Sequence, residues 1–181
     1  MKAIICGALV LLITATTAQK KNYMIIGTYT GTGSKGIYVR AFDKSSGAST
    51  AVDSVESSNP SFIAIHPKGT MIYAVNENAD AGGKGGGVTA FAFNKKTGAL
   101  TSRGSQSSEG NHPCYIALDR TNRWLAVGNY STGNFAVLPV KKDGSMDAAI
   151  ETIQHKGSGP DKRQANAHVH STQFSTNNRF L

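Results

Sequence analysis

PSFIAIHPKGTMIYAVNEN (60–78), PCYIALDRTNRWLAVGNYS (113–131) and HVHSTQFSTNNRFL (168–181) are three versions of one phrase. Each opens with a strand of alternating apolar residues, passes a polar four-residue turn and starts a second apolar strand. The turns are HPKG (66–69), DRTN (119–122) and STNN (175–178). Ile65 to Leu118 is a step of 53 residues and Leu118 to Phe174 a step of 56.

A second phrase recurs between these. GIYVRAFD (36–43) precedes KSSG (44–47), GVTAFAFN (87–94) precedes KKTG (95–98), and NFAVLPV (134–140) precedes KKDG (141–144). These are strands that end in Asx and glycine turns. A short fourth strand follows, as in LTSRG (100–104). Four short strands every fifty-odd residues, with a turn at each join, is the signature of a β-propeller blade. A β-sandwich has short strands too, but no reason to repeat one four-strand phrase. The expectation is therefore an all-β chain, a partial β-propeller. Blade A covers 22–59 without its first strand, because YMIIGTYT (23–30) aligns with the second strand of the later units. Blade B covers 60–111, blade C 112–167, and 168–181 begins blade D. A propeller needs at least four blades, so the sequence reads as the front half of a longer polypeptide.

Composition agrees. The 181 residues carry a net charge of +8, with 39% hydrophobic and 17% charged residues, too apolar for a disordered chain. Two cysteines are too few for a disulfide framework or a cysteine-rich zinc site. MKAIICGALVLLITATTAQ (1–19) has one lysine, an apolar run and a small polar end, the layout of a secretory signal peptide cut after Ala18 or Gln19. The rival, a retained membrane anchor, needs about 20 apolar residues. Residues 20–181 are then an exported domain, periplasmic or extracellular, with no membrane segment after cleavage. Its one thiol, Cys114, reads as a small core hydrophobe. The basic pairs 20–21, 95–96, 141–142 and 162–163 fall mostly in separate turns rather than on one stripe, so no nucleic-acid partner is expected. GTGSKG (31–36) matches GxGxxG, but a strand follows where a dinucleotide site needs a helix.

The phrases GTYTG (27–31), GIYV (36–39), NPSFIAIHPKG (59–69), YAVNE (73–77), NYSTGNFAVLPV (129–140), QHKGSGPDKRQ (154–164) and AHVHS (167–171) occur in this order. Together they resemble the 6-phosphogluconolactonase/lactonase family of seven-bladed propellers, which includes fungal carboxymuconate cycloisomerases. The resemblance spans essentially all of 23–181. It implies a lactone hydrolase with no cofactor and a small-molecule lactone substrate. The family's His-Ala-His is His-Val-His here. A 6-phosphogluconolactone is intracellular, whereas this chain begins with an export signal, so another sugar lactone is a candidate.

His168 and His170 share one face of a strand. Two imidazoles there suit a general base and a donor to a lactone carbonyl, and the resemblance points to this HxH phrase as part of the cleft. The spacing also suits a metal pair, or a polar pair that binds only water. Arg163 and Gln164 lie in the irregular segment before the histidines. A guanidinium binds carboxylate or phosphate in bidentate fashion, and the resemblance raises Arg163 and Gln164 as substrate contacts over a plain solvated loop. Glu77 stands where the other units have Tyr29 and Tyr130, which suits a carboxylate that orients a histidine or water, or one merely exposed at a strand end. A non-enzymatic binding platform is the alternative function.

Overall fold

The computed structural model describes residues 21–181; the signal-peptide reading of 1–19 falls outside the described residues. Three antiparallel sheets follow one another along the chain. Blade A holds β1 (Tyr23–Gly27), β2 (Gly36–Phe42) and β3 (Ser49–Glu56). Blade B holds β4 (Ile63–Ile65), β5 (Met71–Asn76), β6 (Gly87–Phe93) and β7 (Leu100–Ser107). Blade C holds β8 (Pro113–Leu118), β9 (Trp124–Asn129), β10 (Asn134–Pro139) and β11 (Glu151–Gln154). Within each sheet sequential strands are neighbours. The all-β partial propeller is thus observed.

Registers confirm the repeat. Gly27 pairs with Ile37, Val75 with Val88, and Gly128 with Phe135. β1 therefore stands where β5 and β9 stand, and blade A has no strand on the inner side of β1. The turn after the third strand position is built alike each time. Asp43, Asn94 and Asp143 accept the backbone N–H two residues on, at 2.8, 2.9 and 3.0 Å. Gly47, Gly98 and Gly144 follow with φ of 73°, 84° and 85°, a conformation glycine adopts without strain.

Hydrophobic faces between blades make the core. Ile37 and Val39 of blade A meet Ile72, Ala74 and Phe91 of blade B. The other face of blade B, with Tyr73, Val75 and Val88, meets Ile116, Leu125, Val127 and Leu138 of blade C. Blade B thus buries both faces, and the strands at the centre of blades B and C run nearly continuously apolar, as in IYAV and LAVG.

Blade D differs from its expectation. Residues 168–174 join no ladder. Val169 and Thr172 are buried, and the Thr172 hydroxyl donates to the Ala126 carbonyl at 2.9 Å. A turn follows at 175–178, closed by Ser175 N–H to the Phe180 carbonyl at 2.8 Å. Asn178 donates to the buried Asp119 carboxylate at 2.9 Å. Burial pushes the Asp119 pKa up, but hydrogen bonds from Thr121, Trp124 and Asn178 outweigh it and leave the carboxyl below its ordinary value. A strand needs a hydrogen-bonded neighbour; here 168–174 packs on blade C through side chains.

Candidate active site at one end of the blades

The register places Tyr29, Glu77 and Tyr130 at one repeat position, just past the second strands. Counted back from the turns that open at His66, Asp119 and Ser175, Ser61, Cys114 and His170 share another position, in the first-strand segments. Phe62 and Tyr115 stack obliquely, ring centres 4.3 Å apart. His170 puts an imidazole where the earlier units carry the small side chains of Ser61 and Cys114. Its ring meets Tyr130 edge-on at 5.8 Å, and among the described residues its nitrogens make no hydrogen bond.

His168 is held differently. Its ring lies flat on Tyr130, centres 4.3 Å apart and planes 9° apart. Nδ1 faces the Tyr130 carbonyl oxygen at 2.8 Å and Nε2 the Arg163 carbonyl oxygen at 3.0 Å. The two histidines do share a face, with Val169 buried between them on the other.

Glu77 anchors a second cluster. Its Oε2 accepts the Tyr29 hydroxyl at 2.9 Å and the Ser61 hydroxyl. The hydrogen bond to this carboxylate, followed by burial, raises the Tyr29 pKa above its ordinary value. Cys114 lies between the clusters, half-buried rather than fully buried, with Sγ 3.6 Å from the Val169 carbonyl and 3.8 Å from that of His170. Burial and then the Glu77 charge push its thiol above its ordinary value.

Arg163 and Gln164 lie in a single 3₁₀ turn, Lys162–Gln164. The Arg163 backbone reaches His168, but its exposed guanidinium leans on Asp161 at 3.4 Å. The Gln164 side chain packs back over Gly159. The structure thus brings Arg163 and His168 together through the main chain, and His168 and His170 together through Tyr130. Glu77 faces the same neighbourhood through Cys114, without touching either histidine. Among the described residues no group of three His, Cys, Asp or Glu side chains is placed to hold a metal ion, and no helix is long and apolar enough to cross a membrane.

Tyr130, Tyr29 and Ser61 were not singled out as site residues by the sequence. Their signal was available in the repeat: positions where equivalent blades carry different polar groups are released from packing and open to chemistry.

Blades in series, with a histidine pair and a tethered carboxylate at one end, make a partial β-propeller. The chain belongs to the lactonase family of seven-bladed β-propellers, whose family model matches residues 23–181. It is 33% identical over 157 residues to a 6-phosphogluconolactonase of Bacillus subtilis (strain 168), covering 86% of this chain and 44% of that protein. It resembles the solved structure of the Pseudomonas aeruginosa periplasmic gluconolactonase PpgL, with TM-score 0.81 and 35% identity, over 88% of this chain and 45% of that one. A solved Bacteroides fragilis NCTC 9343 structure superposes with TM-score 0.83 and 34% identity, over 91% of this chain and 45% of that one. The chain spans a little under half the length of these relatives.

Proposed function

We propose that these blades are the N-terminal half of a seven-bladed ring that hydrolyses a sugar lactone. His170 carries the proton. Water oxygen bonds to the lactone carbonyl carbon as its proton passes to His170. The ring C–O bond then breaks, and the leaving alkoxide takes that proton, giving the hydroxy acid. Arg163 receives an anionic substituent. Glu77, with both hydroxyl donors on Oε2, keeps Oε1 as a fixed acceptor for a substrate hydroxyl.

The observation that supports this reading best is the replacement, at one repeat position, of the small Ser61 and Cys114 by His170, whose ring nitrogens make no hydrogen bond among the described residues. The relatives' names support the substrate class. The full-length polypeptide should hydrolyse at least one sugar lactone above the buffer rate in a pH-indicator assay spanning phosphorylated and neutral lactones. No rate on any of them would favour the binding platform. We also propose export, on the layout of 1–19 and the likeness to a periplasmic gluconolactonase. A mature N-terminus at Gln19 or Lys20 supports it, and retention of Met1 contradicts it.

A further inference from the structure

We propose that His168 is a positioning residue: it ties the segment carrying Arg163 to Tyr130 and carries no proton in the reaction. This deepens the reading above and rests on it for the role of Arg163.

Each ring nitrogen of His168 faces a backbone carbonyl oxygen, of Tyr130 at 2.8 Å and of Arg163 at 3.0 Å. A carbonyl oxygen only accepts, so the ring donates to one as neutral imidazole and to both as imidazolium. A proton carrier must aim a lone pair at water or an N–H at substrate. Both in-plane directions of this ring are taken, and one of its faces lies on Tyr130. His170, one residue from the buried Val169, has neither constraint.

The segment that His168 holds has few other ties. Residues 157–166 are all exposed. Their hydrogen bonds run among themselves: Gly159 N–H to the Gln164 carbonyl at 2.7 Å, Gln164 N–H to the Asp161 carbonyl at 2.8 Å, and Arg163 N–H to the Asp161 carboxylate at 2.8 Å. Among the described residues, the His168 contact is the one hydrogen bond joining this segment to residues outside it. Segment and histidine together bound a hollow of about 310 Å³ lined by Ser158, Gln164, Asn166 and His168. An exposed loop with one tether owes its position to that tether. The tether therefore fixes where Arg163 can meet an anion.

Limited trypsinolysis of the full-length polypeptide tests the tether without any activity. His168→Ala should speed cleavage after Lys162 and Arg163 roughly ten-fold, the order expected from losing one hydrogen bond. Cleavage after Lys95 and Lys96, in the turn following β6, should be unchanged. His168→Gln keeps an amide donor and should restore part of the protection. With an anionic lactone, His168→Ala should raise KM as Arg163→Ala does and leave the pH–rate profile in shape. The double variant should be no worse than Arg163→Ala alone. Unchanged cleavage at 162–163, equal acceleration at Lys95–Lys96, or loss of a pH–rate limb in His168→Ala would each overturn the proposal. If the wild type hydrolyses no lactone, the functional reading fails, and proteolysis alone still decides the tether.

Discussion

Blades B and C share a backbone plan and differ in what they hang on it. Asn76 and Asn129 occupy one position, and each donates through Nδ2 to the linker before its blade, to the carbonyls of Ser58 and Ser108 at 2.9 and 2.8 Å. Both clips serve the scaffold. One position further on, blade B has Glu77 and blade C has Tyr130. Glu77 gathers hydroxyls, whereas Tyr130 gathers histidines. The interior of the repeat is constrained by burial against both neighbouring blades. The ends of the strands are not, so the chemistry sits where equivalent positions disagree.

The largest effect should come from restoring the repeat where it breaks most. His170→Ser makes the segment match Ser61 of blade B. It should lower kcat by roughly 10²–10⁴-fold, the usual worth of a general base, while thermal unfolding stays close to wild type. Full retention of rate in the full-length polypeptide would take His170 out of the reaction. The comparison between blades would then mark a binding surface.

Much of the fold was legible because two periodicities coincide in the sequence. Alternation gave the strands, and the recurring Asx–glycine turns gave their joins, so the strand missing from blade A showed as a misaligned first unit. The fourth unit was less legible. HVHSTQF has the pattern of a first strand, but a ladder depends on a neighbouring strand, and the 168–174 pattern carries no information about one. At the site, HxH was visible as a phrase. The unequal roles of its two histidines were not, because they depend on the carbonyls of Tyr130 and Arg163, 38 and 5 residues away. The pairing of the Arg163 guanidinium with Asp161 was hidden for a related reason. Spacing brings both residues into one turn but does not say which partner the charge takes.

A smaller effect separates Tyr73 of blade B from Ala126, its counterpart in blade C. Tyr73 is fully buried and its hydroxyl crosses to blade C, donating to the Gly144 carbonyl at 3.1 Å. Burial, then the nearby Asp143 charge, pushes its pKa up to about 12. Tyr73→Phe should cost about 1–2 kcal/mol at neutral pH, by leaving that carbonyl unpaired. A raised folded-state pKa means the folded chain holds the proton more tightly. The tyrosine's contribution is therefore complete below about pH 10, its ordinary value, and declines as pH rises toward about 12. Denaturant titrations should show the gap between wild type and Tyr73→Phe narrowing across that window. A gap that stays constant would mean Tyr73 does not resist ionisation in the folded chain.

The smallest effect tests whether the two asparagine clips are equally good. In blade B the Asn76 Oδ1 accepts the Thr89 hydroxyl at 2.7 Å. In blade C the register puts Ala136 where Thr89 stands, and Asn129 Oδ1, fully buried, has no hydrogen-bond partner among the described residues. A buried acceptor left without a donor costs on the order of 1–3 kcal/mol, so blade C pays at a position that blade B satisfies. Thr89→Ala should bring blade B to the condition of blade C and lower stability by about 1 kcal/mol, the lower end because Asn76 is less buried. Ala136→Thr works in the opposite direction. The hydroxyl gains an acceptor, but the added γ-atoms enter a fully buried site between blades B and C. Overpacking typically costs about 1–3 kcal/mol, so the net gain should be under about 1 kcal/mol. The decisive quantity is the comparison within asparagine backgrounds: Thr89→Ala should be nearly neutral when Asn76 is already Ala, because the acceptor it leaves unpaired is gone. An undiminished loss in that background would place the value of Thr89 in packing against blade A, and the two clips would be energetically alike.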